Sequence, residues 1–320
     1  MGFLCSCDLN IILGCISYTF VVYNRRIKIN ILLTGATGFL GSHVLAKLST
    51  TDINFVILKR SFSNTSRIEN FLKKYIFYDI DKQNISDIFE THKIDLILHC
   101  ATNYGRKETD PLRTVEANLL LPLQLLELGR KNGVKAFVNT DTILDKGVNN
   151  YSLSKNQFKE WLMEYSRDLT CCNVALEHFY GPGDDPTKFV SYIISSFLDN
   201  KDSIPLTFGY QKRDFIYIDD VVEALELIVH DSLKLEKGLF KYEIGTGDAV
   251  SIRQFVELIK ELTGNTTTAI NYGEIPYRTN EVMTCNTDIR EIKRLGWICK
   301  YSLVRGLEKT IQYEMDIRKL

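Results

Sequence analysis

A short glycine-rich segment constrains this chain more than any other feature of its sequence. Residues 34–41 read TGATGFLG, directly after the apolar run Ile29–Leu33 and directly before an apolar-periodic stretch that extends through Leu48. A strand, a tight glycine turn and a helix in this order form the phosphate-binding unit of dinucleotide-binding βαβ folds. The context is the informative part, because glycines alone also serve in ordinary turns.

The glycine segment suits a pyrophosphate for physical reasons. Gly35 permits the tight turn, Gly38 lets the backbone approach the phosphates, and Gly41 lets the helix pack against the strand. The first N–H groups of the helix then offer partial positive charge to the anion. The residues predicted to contact a dinucleotide here are Gly35, Thr37, Gly38, Phe39, Leu40 and Gly41.

The remainder of the chain alternates strands with helices. Further buried strands are predicted at 54–58, 94–99, 136–139 and 173–176, and helices at 114–130, 151–167, 188–198, 219–230, 251–263 and 287–295. This alternation indicates right-handed crossovers and a doubly wound parallel sheet of the α/β Rossmann class. We expect residues 28–178 to form the dinucleotide-binding domain with the catalytic residues. Residues 179–320 are predicted to form a smaller, mixed α/β substrate domain, with some segments returning to the Rossmann core.

Charge and cysteine usage exclude several classes of protein. With 39 Lys plus Arg against 40 Asp plus Glu, the chain has a net charge of −1 and lacks the basic surface that nucleic-acid binding needs. The eight cysteines form neither a paired CxxC zinc pattern nor a secreted disulfide framework. We therefore expect no metal site, no nucleic-acid partner and a reduced, cytoplasmic protein.

Residues 1–27 differ from the rest of the chain. Ile11–Tyr23 is an almost wholly apolar run of 13 residues, whereas a spanning helix needs about 20. Asp8 precedes the run and Arg25 and Arg26 follow it, the reverse of a secretory signal. The alternatives are a translated leader or a loosely packed arm, which we favour, and a membrane-proximal segment. We expect this extension to lie outside the catalytic fold and to have no stable membrane partner.

The end of the second strand predicts the cofactor. An acidic residue there would bind the ribose hydroxyls of NAD, whereas a cation would favour the 2′-phosphate of NADP. Lys59 and Arg60 occupy that end, which favours NADP(H) and leaves NAD(H) as the alternative. Asp79 and Ile80, near the third strand, are predicted to border the adenine.

A tyrosine and a lysine supply the predicted acid–base chemistry. Tyr151 and Lys155 lie four residues apart, on one face of a predicted helix. A phenol titrates near 10, so it exchanges a proton at neutral pH only where a nearby cation favours the phenolate. Thr140, at the preceding strand end, could hydrogen-bond both a substrate oxygen and the tyrosine.

Together these motifs resemble the extended short-chain dehydrogenase/reductase family, whose members act mostly on nucleotide sugars. The resemblance covers residues 28–315 and rests on TGATGFLG, HCA at 99–101, Asn118, Tyr151 with Lys155, and RDFIYIDD at 213–220. Within the family, the segments most similar to the CDP-abequose synthase branch of O-antigen sugar reductases are ATNYGRK at 101–107, NTDT at 139–142 and LEHFYGPGD at 176–184. Enzymes of that branch reduce the C4 ketone of an NDP-4-keto-6-deoxyhexose with NADPH.

The resemblance implies roles for the matching residues. Tyr151 would be the general acid, Lys155 would bond the nicotinamide ribose, and Thr140 would orient the ketone. Ala101 would lie along the cofactor, and Tyr180 and Pro182 would lie near the nicotinamide.

Arginines are expected at the substrate's diphosphate, because their planar fork reaches two phosphate oxygens at once. The predicted substrate-binding residues are Thr102, Thr142, His178, Lys188, Arg213 and Arg278, of which the two arginines match diphosphate-binding positions of the family. Asn118 is expected to be a structural amide inside its helix.

Two departures from the family pattern favour a simple reductase. Thr142 replaces the glutamate that dehydratases use for elimination, and a hydroxyl cannot serve as that base. The interval from Thr140 to Tyr151 is short, and the Val-Tyr-Gly pattern of 4-epimerases is absent. A 4-epimerase that retains its NAD remains the first alternative, and a non-catalytic cofactor sensor the second. We also expect a homodimer, formed through the helices predicted at 114–130 and 151–167.

Overall fold

The computed structural model describes residues 28–106 and 110–319. The expectation for residues 1–27 therefore lies outside the described residues. The strands are β1 (Ile29–Thr34), β2 (Ile53–Lys59), β3 (Ile76–Asp79), β4 (Leu96–His99), β5 (Ala136–Thr142), β6 (Thr170–Leu176), β7 (His178–Tyr180), β8 (Ser203–Leu206), β9 (Lys212–Tyr217), β10 (Gly238–Ile244), β11 (Ala249–Ser251) and β12 (Ala269–Tyr272).

The helices alternate with these strands in the first part of the chain. They are α1 (Phe39–Leu48), α2 (Ser86–Thr91), α3 (Pro111–Val115), α4 (Leu121–Lys131), α5 (Asn150–Tyr165), α6 (Phe189–Leu198), α7 (Ile218–Ser232), α8 (Ile252–Thr263), α9 (Arg290–Arg294) and α10 (Leu303–Arg318). A π-helical turn (Glu116–Leu120) joins α3 to α4, and a 3₁₀ turn covers Ser66–Phe71. Across the described parts of the chain, no helix is long and apolar enough to cross a membrane.

The central sheet has seven strands in the order β10-β6-β5-β4-β1-β2-β3, and every neighbouring pair is parallel. This confirms the predicted doubly wound Rossmann sheet. The strand order reverses between β1 and β4, which is where such sheets bind their ligands, outside the carboxyl ends of the strands. The late strand β10 completes one edge, so a segment of the C-terminal part returns to the central sheet.

Hydrophobic residues cover both faces of the sheet. Along β1, Ile31 and Leu33 pack into one cluster and Leu32 into the other, because successive side chains of a strand point to opposite faces. In β6, the adjacent Cys171 and Cys172 are both fully buried and also divide between the two clusters, as expected of small hydrophobic side chains.

Two small sheets complete the C-terminal part. One has the order β11-β9-β7, with β9 parallel to β7 and antiparallel to β11, and the other pairs β12 with β8. Two element bounds differ from prediction in ways that matter below. The strand predicted at 136–139 continues as β5 to Thr142, and the helix predicted at 287–295 shortens to Arg290–Arg294, which leaves an irregular segment between β12 and α9.

Candidate active site

The turn between β1 and α1 forms a cradle with space for backbone only. Gly35 has φ +72°, and a Cβ there would lie 2.5 Å from the Ala101 nitrogen. At Gly41 a Cβ would lie 2.2 Å from the Gly35 carbonyl oxygen. Gly38 occupies the N-cap of α1, and none of the described residues provides a side-chain cap for that helix. The first-turn N–H groups of α1 are thus available to an anion, and the cradle fits a pyrophosphate.

A hydrogen-bonded pair joins the ends of β1 and β4 next to the cradle. The Thr34 hydroxyl lies 2.9 Å from His99 Nδ1 and accepts a hydrogen bond of 3.2 Å from the Ala101 N–H. His99 is fully buried, and burial lowers its pKa well below the usual range. Ala101, predicted to lie along the cofactor, therefore sits where β4 ends against the cradle. Thr102 follows it, half-buried, in the same loop.

The cations at the end of β2 have different environments. Lys59 is mostly buried and pairs with Asp79 at 2.5 Å, so its charge is compensated inside the protein. Ser61 donates its N–H and its hydroxyl to the Asp81 carboxylate, and these bonds lower the pKa of Asp81. The exposed Arg60 places its guanidinium 4.8 Å from the centre of the Phe62 ring. Of the two predicted cations, Arg60 is the one without a carboxylate partner among the described residues. The predicted adenine neighbour Ile80 donates its N–H to the Lys59 carbonyl.

The acid–base residues lie in the first turns of α5, whose start is defined by a reciprocal cap. Asn149 accepts the Ser152 N–H at 2.9 Å, and the Ser152 hydroxyl accepts the Asn149 N–H at 3.2 Å. Such a capping box sets where the helix begins. Tyr151 and Lys155 consequently fall on one face, four residues apart, next to the end of β5.

Burial dominates the electrostatics of both side chains. It raises the pKa of Tyr151, and the Tyr104 phenol beside it adds to that effect. A hydrogen bond with Thr142 and the charge of Arg106 lower the Tyr151 pKa in part. Lys155 is 1% exposed and donates to the Thr140 carbonyl at 2.9 Å. Burial lowers the pKa of Lys155 to about 8, and the Asp141 carboxylate opposes this by favouring the ammonium form.

The two threonines of β5 differ from prediction. Thr140 and Thr142 are two residues apart in one strand, so their side chains share a face. The Thr140 hydroxyl donates to the His99 carbonyl at 3.0 Å, and the residue is 4% exposed. Thr142, rather than Thr140, is the threonine whose hydroxyl acts on the Tyr151 phenol and lowers its pKa. β5 runs farther than predicted, to Thr142, and this brings the second threonine beside the phenol.

The segment after β6 also differs from prediction in part. Tyr180 is 1% exposed, and its hydroxyl donates to the Leu303 carbonyl at 3.2 Å, so its side chain packs toward α10 rather than toward the cradle. Phe179 is the aromatic residue of this segment that contacts α1, with its ring stacked 6.1 Å from Phe39. Pro182 follows in the same loop, half-buried.

Two of the predicted substrate cations, Lys188 and Arg213, pair with carboxylates of the protein itself. Lys188 pairs with the buried Asp184 at 2.8 Å. Arg213 pairs with Glu281 and donates to the Val282 carbonyl at 2.6 Å. Arg278 is exposed, and its carbonyl accepts the Glu281 N–H at 3.1 Å, so both arginines converge on one turn of the segment between β12 and α9.

His178 lies at the start of β7 beside a buried carboxylate. Its Nδ1 is 3.1 Å from Glu177, which also accepts hydrogen bonds from Cys285 and Thr287. These bonds lower the pKa of Glu177 although burial opposes them. Five residues of the site received no role from the sequence, although four of them lie in the segments 101–107 and 176–184 quoted for the resemblance: Tyr104, Arg106, Glu177, Phe179 and Glu281. Partners such as Tyr151, Phe39 and Arg213 are distant along the chain, so no local pattern predicts these contacts.

Known proteins resemble this chain in sequence and in fold. The model of a family described as the NAD dependent epimerase/dehydratase family matches residues 31–245. The CDP-abequose synthase of Salmonella muenchen is 34% identical over 290 residues, which cover 88% of this chain and 96% of that protein. The UDP-glucose 4-epimerase of Thermotoga maritima, solved with UDP-glucose, has 28% identity and a TM-score of 0.78, and the match covers 91% of this chain and all of that one. MoeE5, solved with UDP-glucose and NAD, has 25% identity and a TM-score of 0.75 over 90% of this chain and 99% of its own.

Proposed function

The chain belongs to the NAD-dependent epimerase/dehydratase family, a family of sugar-nucleotide oxidoreductases, and from this we propose that it reduces the C4 ketone of an NDP-4-keto-6-deoxyhexose. The single observation that supports this reaction most is that a hydroxyl residue, Thr142, ends β5 beside the Tyr151 phenol. A dehydratase needs a carboxylate base at that strand end. The similarity to CDP-abequose synthases from two Salmonella strains, at 34% and 32% identity, supports a deoxysugar substrate linked to CDP or dTDP. Such a reaction belongs to the biosynthesis of deoxysugars for O-antigen polysaccharides.

The proposed chemistry adds a hydride and a proton to one carbonyl. A bound nicotinamide dinucleotide supplies the hydride to C4 of the sugar. Tyr151 donates its proton to the C4 oxygen, and Thr142 holds the phenol through its hydroxyl. Lys155 lies on the same face of α5 as Tyr151, and burial lowers its pKa to about 8. We expect its ammonium to stabilise the phenolate that the proton transfer leaves. Arg213 and Arg278 would hold the diphosphate, with Arg213 exchanging its contact with Glu281.

For the cofactor, we infer a preference for NADPH. Lys59 is compensated by Asp79, so Arg60 is the residue we expect at the 2′-phosphate. Asp79, being occupied by Lys59, is less able to accept bonds from the ribose hydroxyls of NAD. The residues that would hold the dinucleotide are those of the cradle, with Ala101, Lys155 and the end of β2.

One assay tests the reaction and its alternative together. The purified protein is mixed with NADPH or NADH and a panel of CDP-, dTDP-, GDP- and UDP-linked 4-keto-6-deoxy sugars, and absorbance at the nicotinamide band is followed with product analysis. We expect stoichiometric oxidation of the reduced cofactor, with the lower KM for NADPH. The similarity to the Thermotoga 4-epimerase supports a second candidate, an epimerase that retains NAD. Conversion of an NDP-sugar without added reductant would favour that candidate, and no oxidation with any ketone would reject the reductase.

Replacing Thr140 and Thr142 by valine, one at a time, tests which of the two hydroxyls assists proton transfer from Tyr151. Thr142→Val should lower kcat by about tenfold or more, because Tyr151 loses the hydroxyl that orients its phenol. Thr140→Val should instead cost about 1 kcal/mol of unfolding free energy, because it removes a buried bond to the His99 carbonyl, and should retain most of kcat. Steady-state kinetics and urea unfolding of both variants measure this. A loss of kcat in Thr140→Val alone would restore the assignment made from sequence.

We propose a homodimer formed through α4 and α5. α5 exposes the large apolar side chains Leu153, Trp161 and Met163, and the π-helical turn before α4 exposes Leu120. Exposed apolar side chains of this kind are what a helix-to-helix interface would cover. We expect Trp161→Glu to convert a dimer to a monomer, measured by sedimentation velocity. A wild-type protein that sediments as a monomer would reject this interface.

A further inference from the structure

Tyr104 contacts the proposed catalytic acid from a loop that the mechanism does not yet use. It follows β4, and its ring centre lies 5.1 Å from that of Tyr151, with the planes tilted by 46°. Two cations flank the same ring: Arg106 at 5.1 Å and Lys188 at 5.7 Å from its centre. A cation near an aromatic face contributes about 0.5–1 kcal/mol at exposed sites and more where it is desolvated. Tyr104 is therefore held in place by charged groups on its ring.

A buried amide fixes the loop that carries Tyr104. Asn118 is fully buried in the π-helical turn. Its side-chain oxygen accepts the backbone N–H of Asn103, and its side-chain NH₂ group donates to the backbone carbonyl of Asn103, each at 2.8 Å. The same amide donates to the Ser154 hydroxyl on α5 at 3.1 Å. One side chain thus ties the residue before Tyr104 to the helix of Tyr151 and Lys155, and the spacing of the two tyrosines is set through it.

The second of these cations, Lys188, is also anchored. Lys188 pairs with Asp184 at 2.8 Å and has its ammonium 4.7 Å from the Phe179 ring centre and 5.1 Å from that of Phe39. Phe39 is the first residue of α1, directly after the glycine cradle. Lys188 therefore connects the cradle to the ring of Tyr104, and Tyr104 connects it to Tyr151.

We propose that Tyr104 is a positioning residue, whose ring holds the Tyr151 phenol in the orientation from which it donates its proton. This inference rests on the proposed function. The aromatic ring of Tyr104, rather than its hydroxyl, makes the contacts to Tyr151, Arg106 and Lys188. We therefore expect phenylalanine at this position to preserve the function of the tyrosine. The Tyr104 hydroxyl takes no part in the proton transfer.

The test compares Tyr104→Leu, Tyr104→Phe and a matched control. Tyr301 is also flanked by two cations, with Arg305 at 5.0 Å and Lys309 at 5.4 Å from its ring centre, so Tyr301→Leu removes a similar tyrosine elsewhere. We expect Tyr104→Leu to lower kcat by about 10-fold to 100-fold, the scale of a small misplacement of a reacting group, with a smaller change in KM. Tyr104→Phe and Tyr301→Leu should stay close to wild type.

A second measurement needs no substrate. In protein labelled with ¹³C-tyrosine, the Tyr151 ring signal is assigned by its absence in Tyr151→Phe. We expect it to broaden or split in Tyr104→Leu, as the ring takes up more than one orientation, but not in Tyr104→Phe; a change of position alone reports only the lost ring current of Tyr104. A single Tyr151 signal of wild-type width in Tyr104→Leu would overturn the inference, as would a loss of kcat equal in Tyr104→Phe. If the wild-type protein reduces no ketone in the panel, the proposed function fails, and the ring signal still decides whether Tyr104 positions Tyr151.

Discussion

Tyr151→Phe should lose most turnover and keep cofactor binding. The substitution removes only the phenolic oxygen of Tyr151, which is the proposed proton donor to the C4 oxygen and whose pKa Thr142 lowers. General acid catalysis by a positioned side chain contributes about 10²-fold to 10⁴-fold, so kcat should fall by that range. The ring stays, so its packing against Tyr104 is preserved. NADPH oxidation with the best ketone of the panel measures kcat, and fluorescence titration measures cofactor affinity.

Tyr165 provides the matched control on the same helix. Its hydroxyl donates to Glu127 at 3.0 Å, at the far end of α5. Tyr165→Phe should therefore leave kcat unchanged, although it removes the same atom from the same kind of residue. Wild-type turnover in Tyr151→Phe would contradict the mechanism, and an equal loss in both variants would indicate damage to α5 as a whole.

Gly35→Ala should abolish cofactor binding. A Cβ at this position would lie 2.5 Å from both the Ala101 nitrogen and the Cys100 carbonyl carbon, which are backbone atoms at the end of β4. Real Cβ contacts are longer, so β1, the cradle and β4 would have to separate. The backbone at φ +72° adds the cost of a left-handed conformation for an L-residue, about 1–2 kcal/mol. Fluorescence titration with NADPH and urea unfolding measure the two effects.

Gly133→Ala is the control that distinguishes a steric clash of the new Cβ from the strain of a left-handed backbone. It has nearly the same conformation, φ +70°, but a Cβ there would meet nothing within 4 Å. Gly133→Ala should thus be destabilised by about 1–2 kcal/mol of left-handed strain and bind cofactor normally. We expect Gly35→Ala to lose more unfolding free energy than this control, together with the binding. Equal cofactor affinity in the two variants would show that the cradle does not hold the dinucleotide.

Features that depend on neighbours along the chain were predictable. The glycine turn, its strand and its helix follow one another within 20 residues, Ile29–Leu48, and the structure has them at those positions. Tyr151 and Lys155 needed only helical spacing, which the cap at Asn149 provides. Asn118 was expected to be structural, and it is, although its partners Asn103 and Ser154 have no signature in the sequence.

Features that depend on which strands and loops contact one another could not be predicted from the sequence. Thr140 and Thr142 have the same side-chain direction in a strand, so periodicity could not tell which hydroxyl reaches Tyr151. Tyr180 was placed near the nicotinamide by its motif, whereas α10 provides its hydrogen-bond partner. Arg213 was predicted to bind the substrate's diphosphate, but in the structure it pairs with Glu281, which lies in the segment between β12 and α9.

The sequence by itself therefore determined the parallel sheet, the glycine turn before α1 and the placing of Tyr151 and Lys155 on one face of a helix. Each of these features depends on the spacing of residues close together in the chain, because turn geometry, helical periodicity and strand alternation act over a few residues. Only the tertiary structure decided which threonine lies beside the phenol, that Asp79 pairs with Lys59 and leaves Arg60 exposed, and that Tyr104 packs against Tyr151 with Lys188 near its ring. These contacts join residues far apart in the chain, and the packing of the strands and loops creates them.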